Sequence, residues 1–293
     1  MKKKSLFIGY AIFLFIVVLL ISFLSNFDLM KMDPLTTAEE FLASMPYISI
    51  GSLIITQPSS SIFIFALSIL IVIFGIHFLR DSQKSEARKF WGVGMIFWGV
   101  ASLFAGISYQ AFGYELKCLG NDYANWTDWF EIIYYLFMGT SICLLVFSMS
   151  YALVDKKARK IMQWIALICL PIYAILLVVG SIAGIKFLVS YELLCIFFMW
   201  HFVVFFVLNI KRYREYHSEM DKQFIIAWSI FLLCNVIYYA YYLSGVSEVL
   251  YANFNIWFNQ NDVLHVLMLA MFIYMYVTLP KLLTDFERQS LKR

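Results

Sequence analysis

Polar side chains that could bind a ligand or transfer a proton lie inside, or next to, several long apolar stretches of this sequence. Asp128 and Glu131 are three residues apart, and Asn261 and His265 are four apart, so each pair shares one face of a helix. Asp262 lies beside the second pair. Polar groups are costly inside lipid, and their placement therefore carries functional information.

Three more polar residues are predicted at the same depth. Ser108 and Gln110 lie near the end of one apolar stretch, and Glu192 lies about two turns into another. Polar groups from several helices that converge at one level are typical of a water-accessible pocket between helices. We therefore expect such a pocket near one surface of the protein.

An alternative interpretation assigns part of this pattern to the ends of helices. Acidic residues at a helix N-terminus complement the helix dipole, so Asp128 and Asp262 could simply be caps. Glu131, Glu192 and His265 lie deeper in apolar sequence. For these three residues a functional role, or a buried polar network, is the favoured interpretation.

The elements that position these residues are predicted to be membrane-spanning helices. Of the 293 residues, 62% are apolar and 14% are charged, which excludes a soluble enzyme, a disordered chain and a disulfide scaffold. Continuous apolar runs favour helices over a β-barrel, which would need alternating strands. The fold class is therefore all-α, a polytopic bundle of about eight spans. The predicted spans are 5–24, 61–79, 90–112, 129–154, 162–184, 186–210, 224–243 and 262–280.

The positive charges predict the orientation of the bundle. All but three of the 22 Lys and Arg residues fall in loops or termini on one side of the predicted spans; the exceptions are Lys31, Lys117 and Lys186. Basic loops remain in the cytoplasm. We therefore expect a protein of a bacterial or archaeal cytoplasmic membrane, with both termini in the cytoplasm.

The predicted organisation has four parts. Residues 1–24 form an N-terminal transmembrane anchor, with a cleaved signal peptide as the alternative. Residues 25–60 form an outer-side loop, in which Thr37 and Glu40 have capping-box spacing and predict a short helix. In the same loop, Tyr47–Ile55 is too short to cross and is expected in the interface or folded over the helices. Residues 61–280 form a seven-helix core, and residues 281–293 form a cytoplasmic tail with a surface helix.

Two sequence stretches resemble a known family. Residues 261–267, Asn-Asp-Val-Leu-His-Val-Leu, are similar to the His-x-x-x-His start of the last helix in the CREST superfamily of seven-helix membrane hydrolases. Residues 106–112, Gly-Ile-Ser-Tyr-Gln-Ala-Phe, are similar to the Ser-x-x-x-His stretch of that superfamily, which includes alkaline ceramidases and adiponectin receptors. Asp128, or Asp122 in the loop before it, lies where those proteins place an aspartate.

The resemblance implies a zinc-dependent hydrolysis of a lipid amide or ester. His265 would be a metal ligand, Ser108 would help to hold the oxyanion, and Asp128 would orient the attacking water, with Glu131 as a further catalytic acid. The sequence departs from the family pattern, because Asn261 and Phe112 occupy the positions of two zinc histidines. Asn and Gln are poor zinc ligands, so the metal motif is degenerate.

The sequence leaves three classes of function open. The first is the lipid hydrolase, and the second is a non-enzymatic seven-helix sensor or receptor that binds a small molecule or lipid, with Gln110, Glu192, Asn261 and Asp262 lining its pocket. A transporter is the third, disfavoured because carriers place their sites near the midplane. Membrane lipids are the expected partners, and the basic loops are explained by topology rather than by nucleic-acid binding. The sequence does not indicate an oligomeric state.

Overall fold

Long helices form over the predicted spans, because a helix satisfies its own backbone hydrogen bonds in lipid. The structure is a computed structural model that describes residues 2–80, 82 and 85–290, with side chains for residues 9–80, 82 and 85–289. The α-helices are α1 (Lys2–Leu24), α2 (Ala38–Ala43), α3 (Pro58–Arg80), α4 (Glu86–Ala105), α5 (Gly113–Lys117), α6 (Trp129–Leu153), α7 (Lys156–Ala183), α8 (Tyr191–Tyr216), α9 (Glu219–Ser244), α10 (Val246–Phe254), α11 (Gln260–Thr278) and α12 (Phe286–Ser290).

Seven helices of the described chain are long and apolar enough to cross a membrane. They are α3, α4 with its extension to Ala111, α6, α7, α8, α9 and α11. The predicted first span also forms a helix, α1, whose apolar part with described side chains, Gly9–Leu24, is shorter than these seven. The all-α fold is confirmed, and the protein is an integral membrane protein.

The spanning helices form a ring in which neighbours along the chain contact each other. Helix α11 packs against α3 and closes the ring, while α6 contacts α4, α7 and α8. Helix α6 is the most buried of the seven, and α1 packs outside the ring on α6 and α7. The core between the helices is rich in aromatic side chains, among them Phe74, Trp91, Phe198, Phe224 and Phe272.

Short polar residues begin the helices. Asp155 and Ser190 accept backbone N–H bonds at the starts of α7 and α8, and Asn259 does so in a capping box with Asp262 at the start of α11. Because Ser190 caps α8, Glu192 lies in the first turn of that helix, not two turns inside it as the sequence predicted.

The loop before α3 contains strands as well as the predicted helix. Thr37 and Glu40 form the predicted capping box of α2. Strands β1 (Tyr47–Ile50) and β2 (Leu53–Thr56) form an antiparallel hairpin, with Tyr47 opposite Thr56 and a turn at Gly51, whose φ is +63°. This hairpin was not predicted from the sequence, although β-branched residues on both sides of a glycine turn favour a hairpin. The hairpin folds over the helix ends, which is one of the two placements predicted for residues 47–55.

The basic loops lie at one end of the ring, which we call the basic end; the opposite end is the outer end. The chain after α11 docks at the basic end, where Asp285 accepts hydrogen bonds from the Ser85 hydroxyl and the Ala87 N–H at 2.9 and 2.8 Å. Arg159 pairs with Glu287 of α12 at 2.6 Å. Three basic residues used to predict the orientation, Lys84, Lys292 and Arg293, lie outside the described residues.

Candidate functional site

Three of the predicted site residues meet in a buried network at the outer end, which we call the outer polar cluster. Its members are Ser108, Tyr109, Lys117, Asp128, Glu131 and Tyr135. A π-helix, Gly106–Ala111, extends α4 and supplies Ser108 and Tyr109; α5 and the start of α6 supply the rest. The inserted residue of a π-helix changes the direction of the side chains that follow it, and such turns are frequent at functional sites.

Asp128 is the N-cap of α6, as the alternative interpretation of the sequence proposed. One carboxylate oxygen accepts the N–H groups of Phe130 and Glu131 at 2.8 and 3.2 Å. The other accepts the Ser108 hydroxyl at 2.6 Å. Ser108 and Asp128 are almost completely buried, so these bonds serve the architecture of the outer end.

Glu131 is paired with a buried lysine. Its Oε2 atom lies 2.8 Å from Nζ of Lys117, and its Oε1 atom accepts the hydroxyls of Tyr109 and Tyr135 at 2.5 and 3.2 Å. Burial lowers the pKa of Lys117, but the negative charges of Glu131 and Asp128 outweigh it and raise the pKa overall. The cluster thus holds two carboxyl groups and one ammonium group in a buried space.

From the sequence, Lys117 was notable only as one of three basic residues predicted on the side opposite to the basic loops. Its position in a loop close to Asp128 and Glu131 was the one available signal. That signal could not distinguish an exposed lysine from a buried one, because α5 must fold back onto α6 before the ammonium group reaches Glu131.

A second polar group lies at the start of α11. Asp262 accepts the Asn259 N–H at 2.8 Å, and the Asn259 side chain donates to Gln57 at 3.0 Å. Gln57 in turn donates to the backbone carbonyl of Tyr109 at 3.3 Å. Asp262 Oδ1 and Gln110 Oε1 are buried and have no partner in the described part of the chain, while Asn261 is half-buried.

His265 lies elsewhere, on a cavity of about 110 Å³ lined by residues of α3, α4, α6, α8, α9 and α11, which we call the central cavity. Its walls are mostly apolar, with Trp98, Phe202 and Phe231 among them. The polar residues that line it are Ser102, Tyr134, Tyr191, Asn235 and His265. His265 is buried, and its Nδ1 atom has no hydrogen-bond partner among the described residues.

The predicted site residues therefore occupy separate places rather than one pocket. Ser108, Asp128 and Glu131 belong to the outer polar cluster, and Asp262 belongs to the network at the start of α11. All eight predicted residues lie in the described part of the chain, and of these only His265 lines the central cavity, while Glu192 is exposed. Tyr134, Tyr191 and Asn235, which also line the central cavity, were not among the residues predicted from the sequence.

The residues present do not fit the zinc ion that the CREST resemblance implied. The described chain holds no group of three or more His, Cys, Asp or Glu side chains that could bind a metal. Both oxygens of Asp128 are occupied by hydrogen bonds, and His265 faces a largely apolar cavity. A zinc site needs three or four such ligands around the ion.

Cys118, beside Lys117, is predicted to react slowly with thiol reagents. It is buried, and burial raises its pKa to about 11, so very little thiolate is present at pH 8. We compare two single-cysteine proteins: one keeps only Cys118, and the other has Cys118→Ser and carries only the introduced cysteine of Asp122→Cys. At pH 8 we expect maleimide to label Cys118 at least tenfold more slowly than the cysteine at position 122. Equal labelling rates in the folded protein would contradict the buried position.

The comparisons with known proteins give a family without a known activity. No curated protein and no solved structure matches the chain. The sequence model of DUF6962, described as a family of unknown function, matches residues 60–284. This match includes nearly all of α3 and the other six helices that are long enough to span a membrane, and it leaves out α1 and the hairpin. The chain belongs to the DUF6962 family.

Proposed function

We propose that this protein is a non-enzymatic membrane sensor or receptor that binds a small, largely apolar molecule in the central cavity. The observation that carries the proposal is the buried His265, which lies on a cavity with mostly apolar walls and whose Nδ1 has no partner among the residues that the structure describes. A buried polar atom without a partner costs about 1–3 kcal/mol. A ligand that exchanges a hydrogen bond with His265 would recover part of this cost.

The cavity sets the size of the ligand. Its volume of about 110 Å³ is of the same order as the roughly 150 Å³ apolar cavity known to bind benzene. The aromatic walls, including Trp98 and Phe231, favour a ring or a short alkyl chain. The fitting chemical class is therefore a small ring or chain compound with one hydrogen-bonding group.

The cavity is in contact with the outer polar cluster, which supports a sensing role. Tyr134 lines the cavity, and its ring packs edge-on against Tyr109 at 6.2 Å between centroids. Tyr109 donates its hydroxyl hydrogen to Glu131. A ligand that moves Tyr134 would therefore disturb the buried charges that join α4, α5 and α6. Ser108 and Asp128 are buried in the outer polar cluster and do not line the central cavity, so a molecule bound in the cavity would not contact them.

The orientation is part of this proposal. The basic end would face the cytoplasm, because cytoplasmic loops are enriched in Lys and Arg. The outer polar cluster would then lie on the far side of the membrane, and both termini would be cytoplasmic.

Binding of phenol, indole and 1-hexanol to the purified protein tests the function. We expect at least one of these probes to raise the thermal unfolding temperature in a saturable way. His265→Leu removes the hydrogen bond at similar volume and should weaken binding about fivefold, since one hydrogen bond contributes about 1 kcal/mol. His201→Leu is the matched control, because His201 is also buried in a spanning helix but does not line the cavity.

A second pair of variants tests occupancy of the cavity itself. Ala105→Phe places a ring in the cavity and should abolish binding, whereas Leu103→Phe changes a lipid-exposed position on the same helix and should not. Retained binding in folded Ala105→Phe protein would refute the proposed site. Absence of saturable stabilisation by all three probes would count against this ligand class.

A further inference from the structure

A second cavity lies outside the ring, between α1 and helices α4, α6 and α7. Its volume is about 350 Å³, within the range of 300–1,000 Å³ that is usual for ligand sites. Its walls include Tyr10 and Leu14 of α1, Phe97 of α4, and Leu144 and Phe147 of α6. We call it the α1 groove. It is separate from the central cavity, and the lining residues of the two do not overlap.

The length of the α1 groove matches one leaflet of a bilayer. On α6 its lining extends from Thr140 to Tyr151, and on α7 from Leu170 to Lys160. At 1.5 Å per residue these stretches measure about 15–17 Å. Half of a hydrocarbon core of about 30 Å is about 15 Å. Since Thr140 and Leu170 lie near the middles of α6 and α7, the groove extends from about the middle of these helices to the basic end.

The α1 groove has a positive charge at one end only. Lys160, in the first turns of α7, lines the groove at the basic end, is exposed, and has no ion-pair partner within the described ranges of the chain. Lys156 is four residues earlier on the same face of α7. The rest of the lining carries no charged side chain. An apolar trough with a cation at the interface is complementary to a lipid tail with an anionic head group.

Several polar groups along the groove are already hydrogen-bonded within the protein, and one of these bonds joins α1 to α7. Tyr10 donates its hydroxyl hydrogen to the Leu167 carbonyl at 2.6 Å, which fixes α1 against α7. Gln163 donates to Ser150 at 3.1 Å, and Thr140 to the Leu136 carbonyl at 2.8 Å. These polar groups of the lining are thus bonded to the protein, and an apolar occupant leaves those bonds intact.

We propose that the α1 groove binds one acyl chain of an anionic phospholipid, with the lipid phosphate on Lys160. The lipid would fill the space between α1 and the part of the chain that matches the family. Because α1 forms one wall, the bound lipid would also bridge α1 to α4, α6 and α7. This site does not depend on the central cavity, so either proposal can fail without the other.

Native mass spectrometry with a defined lipid mixture tests the head-group part of the site. The protein is equilibrated with equal amounts of phosphatidylglycerol and phosphatidylcholine that carry the same acyl chains. We expect the wild-type protein to retain phosphatidylglycerol in excess over phosphatidylcholine. In Lys160→Gln the ratio of bound phosphatidylglycerol to bound phosphatidylcholine should be about fivefold lower. Lys157→Gln is the matched control, because Lys157 is an exposed lysine of the same turn that does not line the groove.

A second pair of variants tests the acyl-chain part. Ala11→Trp places a large ring in the groove and should reduce retention of both lipids, whereas Ile12→Trp, on an exposed face of α1, should not. Circular dichroism and gel filtration confirm that each variant is folded. Unchanged lipid preference in Lys160→Gln, or unchanged retention in folded Ala11→Trp, would overturn the proposal. A wild-type dimer that Ala11→Trp dissociates, with lipid retention unaltered, would assign the groove to a second copy of the chain instead.

Discussion

Replacing Lys117 with methionine is expected to lower the free energy of unfolding by about 3–5 kcal/mol, because it leaves a buried carboxylate without its counter-charge. Lys117 and Glu131 are both buried, with side chains 8% and 5% exposed, and their charged atoms lie 2.8 Å apart. Asp128 adds a second carboxyl group nearby, so the variant would hold two acidic groups and no base. Thermal and denaturant unfolding in one detergent measure the effect.

The double variant Lys117→Met/Glu131→Gln separates charge pairing from packing. Since it removes both charges, we expect it to be more stable than Lys117→Met alone, with a coupling energy of at least about 1 kcal/mol between the two sites. Lys89→Met is the surface control: its partner Glu86 lies 3.1 Å away, both side chains are well exposed, and its loss should cost less than about 1 kcal/mol. Additive effects at Lys117 and Glu131 would show that the pair is not energetically linked.

The close approach of α3 and α4 gives the second large effect. A Cβ atom built on Gly92 would lie 2.8 Å from the carbonyl oxygen of Gly75, and one built on Gly75 would lie 2.6 Å from the carbonyl oxygen of Gly92. Gly99 is similarly placed, 2.8 Å from the Ser68 carbonyl oxygen. Small residues of this kind allow helix backbones to meet in a membrane. Backbone atoms cannot turn aside as a side chain can, so the helices must separate to admit a methyl group.

Gly92→Ala is therefore expected to destabilise the protein by about 1–3 kcal/mol, although alanine is the better helix former by about 1 kcal/mol. The double variant Gly75→Ala/Gly92→Ala should be less stable than either single variant. Gly9→Ala in α1 is the control, because no described atom lies within 4 Å of its added Cβ atom. Thermal unfolding of the wild-type protein and of these four variants measures the difference. A Gly92→Ala protein as stable as the wild type would show that the two helices can separate at little cost.

The same substitution should also affect the central cavity. Ile64 and Leu67 of α3 and Trp98 and Ser102 of α4 line it, so moving α3 from α4 changes its shape. A probe that binds the wild-type protein should bind Gly92→Ala more weakly and Gly9→Ala equally well. This result would link the helix crossing to the proposed ligand site.

The fold was largely predictable, because the hydrophobicity of each segment determines whether it forms a spanning helix. Each spanning helix covers most of a predicted apolar run, and Thr37 and Glu40 were enough to place α2. The π-helix at Gly106–Ala111 and the hairpin at Tyr47–Thr56 were not predicted. Both depend on contacts far apart in sequence: the hydroxyl of Thr56 bonds the carbonyl of Gln110, and the N–H of Ile54 bonds Glu115 at 2.9 Å.

The candidate site was predictable only in part. Residues three or four apart on one helix share a face, so the pairing of Asp128 with Glu131 at the outer end could be read from spacing. The sequence does not show which helix packs against a given polar side chain. That neighbour decides whether the polar group finds a hydrogen-bond partner. Both oxygens of Glu131 are bonded, one of them to Lys117, whereas His265 lies against apolar walls and its Nδ1 has no partner in the described structure.

The sequence alone determined that this protein is a bundle of membrane helices with its positive charges at one end, because hydrophobicity and charge act on each segment without reference to its neighbours. The tertiary structure alone decided which polar groups pair and where space remains. Pairing and packing depend on the rotation and crossing of several helices at once, which no single segment specifies. The Lys117–Glu131 pair, the central cavity and the α1 groove all arise in this way.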